Sequence, residues 1–132
     1  MKKFDFILLV DDDPIANFLT ERLLRKLDIF HKIQTAANGE QAIAMIQEEN
    51  AKGNPSPDLI LLDINMPVMN GLEFLEIFKG GSFADKEKTK FAILSTTTHP
   101  RDYENILAKG VAHIIHKPLT EAKLMEVLEG MK

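Results

Sequence analysis

Apolar residues along this chain occur in five short runs that are separated by segments of helical spacing. The first, third and fourth runs are nearly continuous, which is typical of strands covered on both faces. The runs are Phe6–Val10, Lys32–Ala36, Leu59–Leu62, Phe91–Leu94 and Ala112–Ile115. This alternation predicts an α/β fold with a doubly wound, five-stranded parallel sheet that is flanked by five helices.

The segments between and after the runs carry apolar residues three or four positions apart. In the first segment, four apolar residues recur every four positions: Ile15, Leu19, Leu23 and Leu27. Shorter sets mark the other helices: Ala42, Met45 and Ile46; Leu72, Leu75 and Phe78; Tyr103, Ile106 and Leu107; and Leu124, Val127 and Leu128. Such spacing places side chains on one face of a helix.

Residues that favour helix ends stand at the boundaries of these predicted helices. Asp13 precedes Pro14, which predicts an N-cap followed by proline in the first turn. Asn38 and Thr120 stand before the second and the last helix, where they can act as N-caps. Gly110 follows the fourth helix, at a position where a left-handed residue is common.

Composition narrows the class of protein. The chain has 132 residues, of which 45% are hydrophobic, so we expect one domain with a sizeable core. The net charge of -4 gives no general attraction for nucleic acid or for an anionic membrane. Cysteine is absent, which excludes disulfides and thiolate zinc sites. The first apolar run is too short for a signal peptide or a membrane span, so we expect a cytoplasmic location.

Polar residues with chemical potential follow the predicted strands. Asp11 and Asp12 close the first run and Asp63 closes the third, while Ser95 and Lys117 follow the fourth and fifth. In a parallel sheet these positions meet at one rim, where α/β proteins bind their ligands. Three acids in one place repel one another unless a cation joins them, and Mg²⁺ suits carboxylate ligands. A carboxylate nucleophile, a hydroxyl, a lysine and a metal together favour phosphoryl transfer to the carboxylate.

Along its whole length, the chain resembles the receiver domain of two-component response regulators, in the single-domain form of the chemotaxis regulators. Three stretches carry the resemblance: Val10–Asp13, Asp63–Gly71 and Lys117–Pro118. The resemblance implies a flavodoxin-like sheet with strand order 2-1-3-4-5. It also implies one receiver domain over residues 1–132 with no output domain, acting as a phosphoacceptor and not as an enzyme on other substrates.

The resemblance implies a role for each acid. Asp63 would be the phosphoacceptor, forming 4-aspartylphosphate with a sensor histidine kinase or a phosphotransfer protein as donor. Asp12 and Asp63 would bind Mg²⁺ through their side chains, and Asn65 through its backbone carbonyl. Asp11 would hold a water molecule bound to the metal.

The resemblance also implies roles for the polar residues after the fourth and fifth strands. Ser95 would bind the phosphoryl group and shift inward when it arrives. Lys117 would pair with Asp63 and then with the phosphate, and the bond between Lys117 and Pro118 would be cis, which only an X–Pro bond adopts readily.

Signalling would proceed by a conformational change that a partner protein recognises, in a monomer or in a weak dimer that depends on phosphorylation. The expected output face lies on the fourth helix, the fifth strand and the last helix, and includes His99, Ile114, Glu121 and Lys123. Ile114 stands where many receivers have an aromatic switch residue. Thr96 stands where many have Ala or Gly, and we expect this β-branched residue to slow small-molecule phosphorylation or hydrolysis, so that Thr96→Ala raises at least one of these rates.

Three alternatives remain open at this point. A degenerate receiver would act only as a binding module. An aspartyl-phosphate phosphatase of the haloacid dehalogenase type needs a second aspartate two positions after the nucleophile, where this chain has Asn65. A flavin-binding electron carrier needs a phosphate-binding loop after the first strand, where Asp11–Asp13 would repel the flavin phosphate.

Overall fold

The computed structural model describes residues 3–64, 66, 68–96, 100–111 and 113–131, with the backbone alone for Pro100, Asp102 and Tyr103. Strands and α-helices alternate in this part of the chain, as predicted. The strands are β1 (Phe4–Val10), β2 (Phe30–Ala36), β3 (Leu59–Asp63), β4 (Lys90–Ser95) and β5 (Ile114–His116). The α-helices are α1 (Pro14–Leu27), α2 (Gly39–Ala51), α3 (Gly71–Gly80), α4 (Pro100–Ala108) and α5 (Glu121–Gly130). None of the described helices is long and apolar enough to cross a membrane.

The strands form one parallel sheet in the order β2-β1-β3-β4-β5. This confirms both the predicted fold class and the strand order. Val10 at the end of β1 lies beside Ala36 on one neighbouring strand and beside Leu62 on the other. Because the strands end at the same level, the residues that follow them meet at one rim of the sheet.

The hydrophobic core has two halves, one on each face of the sheet. Side chains alternate along β1, so Leu8 and Val10 join the half that α2, α3 and α4 cover, while Ile7 and Leu9 join the half that α1 and α5 cover. All four side chains are at most 1% exposed. Burial on both faces explains why this strand is a continuous apolar run and not an alternating one.

The predicted caps determine where the helices begin and end. Asp13, Asn38 and Thr120 each accept a hydrogen bond from a backbone N–H in the first turn, at 2.9, 2.8 and 3.2 Å. Gly110 has a φ of 82°, in the left-handed region that glycine adopts without strain. These observations confirm the capping predictions.

The apolar rows indicated helices correctly, and in α2, α3 and α5 they also mark the side that packs against the core, but in α1 the row does not follow the buried face. Ile15 and Leu19 of α1 and Leu107 of α4 are mostly exposed, whereas Thr20 and Leu24 of α1 are buried. A row of every fourth residue turns by about 40° per step around a helix of 3.6 residues per turn. The two ends of such a row therefore face different directions. The fifth strand also begins later than its apolar run, at Ile114.

Candidate functional site

Three carboxylates converge at the rim of the sheet, as predicted. Asp11, Asp12 and Asp63 each offer an oxygen, and these oxygens all lie within 4.8 Å of one another. Asp11 follows β1 and Asp63 ends the neighbouring β3. The side chains of Asp11 and Asp63 are only 4% and 9% exposed, while Asp12 is exposed. Three anionic groups at this distance are unfavourable without compensating positive charge.

Lys117 supplies part of that charge. Its Nζ lies 2.7 Å from Asp11 Oδ2 and 3.8 Å from Asp63 Oδ2. The expected contact with Asp63 is therefore the longer of the two, and the closer contact with Asp11 was not expected. Burial of the Lys117 ammonium lowers its pKa, but the hydrogen bond to Asp11 and the charges of Asp63, Asp11 and Asp13 outweigh burial and raise the pKa above its ordinary value. Lys117 is therefore a permanent cation at this site.

The remaining predicted site residues lie on β4 and β5 or directly after these strands. Ser95 is completely buried, and its carbonyl accepts a hydrogen bond of 2.9 Å from the backbone N–H of Lys117. The peptide bond between Lys117 and Pro118 is cis, in agreement with the resemblance. Thr96 is exposed and, with Lys117 and Pro118, lines a cleft of about 460 Å³ beside α1. Ile114 is partly buried and packs against the core.

Two of the predicted residues, Asn65 and His99, lie outside the described residues. The backbone carbonyl predicted to bind the metal therefore stays a prediction. The same holds for the contribution of His99 to the output face.

Every polar atom of Asp11 has a hydrogen-bond partner. Its N–H donates to the Ala36 carbonyl at 3.0 Å, and its carbonyl accepts from Asn17 Nδ2 at 2.9 Å. Its Oδ1 accepts from the Asp13 N–H at 3.0 Å, and its Oδ2 accepts from Lys117. The contribution of Asn17 could not be predicted from the sequence, because an amide in a helix acquires this contact only when the helix lies against the end of a strand.

Two glycines donate backbone hydrogen bonds to the loop that follows Asp63. Gly71 donates its N–H to the Ile64 carbonyl at 2.9 Å, and a Cβ at this position would lie 2.6 Å from the Asp63 carbonyl oxygen. Gly39 donates its N–H to the Met69 carbonyl at 3.0 Å. The helix α3 thus begins directly against the backbone of Asp63. This close approach of the two backbones emerges only from the structure.

The donor set fits a hard divalent cation. Mg²⁺ binds oxygens at about 2.1 Å, so two oxygens that share one ion lie about 3–4 Å apart. The oxygens of Asp11, Asp12 and Asp63 lie within 4.8 Å of one another, so that one ion can join them directly or through bound water. Asp12 is exposed, so an ion held here would keep access to solvent, which suits Mg²⁺ because it retains several waters.

Comparison with known proteins identifies relatives over nearly the whole chain. The family model of the response regulator receiver domain matches residues 7–129. The nitrate/nitrite response regulator NarL of Escherichia coli (strain K12) is 31% identical over 122 residues, which are 92% of this chain and 52% of NarL. The chain therefore spans about half the length of this relative.

Solved structures of response regulators superimpose on nearly the whole chain. A two-component response regulator from Cytophaga hutchinsonii superimposes with a TM-score of 0.84 at 35% identity, covering 98% of this chain and 97% of that protein. The structure of the CheX–CheY–BeF₃–Mg complex from Borrelia burgdorferi gives a TM-score of 0.78 at 25% identity, covering 96% and 88%. Receiver domains are signalling modules that bind Mg²⁺ at an aspartate cluster and interact with histidine kinases or phosphotransfer proteins. The match of the family model over residues 7–129 shows that this chain belongs to the response regulator receiver domain family.

Proposed function

We propose that this chain accepts a phosphoryl group on Asp63 in a reaction that depends on Mg²⁺, and that it then signals to a partner protein. The observation that carries the proposal is the position of the Asp63 carboxylate. It is nearly buried, yet it lies within 4.8 Å of two other carboxylates and 3.8 Å from Lys117. Burying several charges together costs stability, so their presence is best explained by chemistry at this site.

The proposed reaction is an in-line transfer from a phosphohistidine. An Asp63 oxygen forms a bond to phosphorus while the bond between phosphorus and the imidazole nitrogen breaks, and the imidazole keeps the electron pair. Mg²⁺, when held by Asp11, Asp12 and Asp63, would neutralise charge on the phosphoryl oxygens. Lys117 carries a permanent positive charge close enough to contact the same oxygens. Ser95 is buried at the end of β4, the strand next to the one that Asp63 ends, and would reach the phosphoryl group by a local shift.

An apolar surface beside the acids supports a protein donor. Ile15, Phe18 and Leu19 of α1 are 69%, 65% and 55% exposed, and we call these three residues the α1 patch. Large apolar residues grouped on one exposed helix turn are typical of binding surfaces. The α1 patch begins three residues after Asp12, so a donor that covers it can present its phosphohistidine to the rim.

Output would come from a conformational change in the elements around Ser95 and Lys117. Phosphorylation would shift an equilibrium that already exists in the free protein. We propose that this receiver acts in the cytoplasm and passes its signal to a partner protein, as a monomer or a weak dimer. Beryllium fluoride, which is a component of the CheX–CheY complex from Borrelia burgdorferi, offers a stable mimic of the phosphorylated state for isolating that partner.

The test is phosphorylation by acetyl phosphate with MgCl₂, followed by intact-mass spectrometry. We expect the wild type to gain the mass of one phosphoryl group, and Asp63→Asn to gain none. Chelation of Mg²⁺ should abolish the gain. Asp28→Asn is the matched control, because Asp28 lies on the surface and pairs with Lys3.

Each alternative predicts a different result. If the wild type reacted neither with acetyl phosphate nor with a histidine kinase, the chain would be a degenerate receiver that acts only as a binding module. Phosphorylation of Asp63→Asn to the wild-type level would show that Asp63 is not the acceptor. Rapid turnover of phosphate esters in solution would favour the phosphatase.

A further inference from the structure

Asp12 differs from the other two acids in its surroundings. It is exposed, and among the described residues none donates a hydrogen bond to its carboxylate. We propose that Asn17 is a positioning residue that directs Asp12 toward the cation by holding the peptide group before it. The proposal rests on the proposed function, since it concerns the same metal site.

The two peptide groups that flank Asp12 are both fixed by hydrogen bonds. The carbonyl of the peptide before Asp12 belongs to Asp11 and accepts from Asn17 Nδ2 at 2.9 Å. The N–H of the peptide after Asp12 belongs to Asp13 and donates to Asp11 Oδ1 at 3.0 Å. Peptide groups are planar, so the orientation of two successive planes determines φ and ψ of the residue between them. Those angles determine the direction of the Asp12 Cα–Cβ bond.

Asn17 is placed for this contact and not for helix formation. It is the fourth residue of α1, and its own N–H already donates to the Asp13 carbonyl at 3.1 Å. Asparagine is a weak helix former, because its amide competes for backbone hydrogen bonds. Here the amide instead spans six positions to the end of β1. A carbonyl oxygen only accepts, so the Asn17 NH₂ group must face it.

Loss of this hydrogen bond would free the peptide before Asp12 to rotate. The Asp12 carboxylate would then sample several directions, and part of the binding free energy of the cation would be used to order it. Outer-shell partners of metal ligands commonly change metal affinity by 10–100-fold, and we expect a change of roughly tenfold here, because Asn17 acts through the backbone.

The experiment is an NMR amide-shift titration with MgCl₂ at constant ionic strength. The variants are Asn17→Ala and Asn17→Leu, of which the second retains the side-chain volume without the donor. Asn50→Ala is the matched control, because Asn50 also donates from its side chain to a backbone carbonyl, that of Asn54 at 3.0 Å, at the opposite end of α2. Thermal unfolding without Mg²⁺ measures the stability of each variant separately.

We expect both Asn17 variants to bind Mg²⁺ roughly tenfold more weakly, while Asn50→Ala binds like the wild type. Alanine and leucine are better helix formers than asparagine, so the Asn17 variants should still fold. Asn17 variants within twofold of the wild-type Kd would overturn the proposal, and so would equal weakening in Asn50→Ala. A wild type whose titration does not respond to Mg²⁺ would contradict the proposed function itself, which is a separate result.

Discussion

Val68, in the loop after Asp63, has an unfavourable backbone conformation. Its φ is 68°, in the left-handed region that β-branched residues rarely adopt, and its side chain is 72% exposed. The exposed side chain contributes little packing in return. The loop therefore retains local strain two residues from Asn70, which caps α3.

Relief of this strain should stabilise the protein. We expect Val68→Asn to raise the free energy of unfolding by about 1 kcal/mol, because asparagine enters the left-handed region more easily. Urea unfolding measures the change. Val68→Thr is the control, since threonine is polar but still β-branched. Equal stability of the two variants would mean that polarity, and not backbone strain, is responsible.

Gly71 illustrates a different case, a position where any side chain collides with the backbone of Asp63 and Ile64. Its Cβ would lie 2.6 Å from the Asp63 carbonyl oxygen and 2.9 Å from the Ile64 Cα. We expect Gly71→Ala to lower the free energy of unfolding by about 2 kcal/mol and to slow phosphorylation of Asp63. Urea unfolding and the acetyl phosphate assay measure the two effects.

Gly80, at the other end of α3, is the matched control for this substitution. A Cβ there meets no atom within 4 Å. We expect Gly80→Ala to be neutral or to stabilise the protein by up to about 1 kcal/mol, because alanine favours the helix. If Gly71→Ala and Gly80→Ala changed the free energy of unfolding equally, the close approach at Gly71 would not be the cause of the destabilisation.

Helix α2 is joined to the edge strand β2 by a charged contact. Glu49 is buried, and its carboxylate pairs with the Lys32 ammonium and accepts a hydrogen bond of 3.0 Å from Asn54. The hydrogen bond from Lys32 is the largest cause that lowers the pKa of Glu49 below its ordinary value, followed by the one from Asn54. Because the folded-state pKa is depressed, this contact stabilises the fold above the unfolded pKa and is lost as the pH falls through the folded pKa.

Glu49→Gln should therefore reduce the acid sensitivity of the fold. We expect the variant to be about 1–2 kcal/mol less stable than the wild type at pH 7, and the difference to shrink as the pH falls below about 4.5. Urea unfolding between pH 7 and pH 3 (roughly the range over which a carboxylate titrates) measures it. Glu48→Gln, which removes an exposed pair with Lys52 in the same helix, should leave the pH dependence unchanged. Parallel pH profiles for wild type and Glu49→Gln would contradict this assignment.

The molecule as a whole places its acids and the α1 patch at the same end of the sheet. The carboxyl ends of β1 and β3 present the acids, and the first turns of α1 present Ile15, Phe18 and Leu19 beside them. A protein donor would use both surfaces at once, whereas a small donor such as acetyl phosphate needs only the acids. This difference makes the two contributions separable by experiment.

Removal of the α1 patch should affect only protein donors. We expect the double substitution Ile15→Ser and Leu19→Ser to slow transfer from a histidine kinase by roughly tenfold, as for loss of apolar anchors in an interface. The rate with acetyl phosphate should not change. Ile77→Ser, at an exposed position on α3, is the control. A loss of reactivity toward both donors would mean that the double substitution disturbs the acids instead.

The local features of this protein could be predicted from its sequence. The order of strands and helices follows from hydrophobic periodicity, and the caps at Asp13, Asn38 and Thr120 follow from hydrogen bonds to backbone groups only two or three residues away. The convergence of Asp11 and Asp63 was also predictable, because parallel strands end at one rim.

The tertiary structure decided what depends on distances between segments remote in the sequence. It selected the buried face of α1, leaving Ile15 and Leu19 exposed, because the sheet accepts only one side of the helix. It brought Lys117 closer to Asp11 than to Asp63, although 106 positions separate Lys117 from Asp11. It also placed Asn17 against the end of β1. Periodicity along the chain carries no information about such contacts, because their geometry exists only after the strands and helices have packed together.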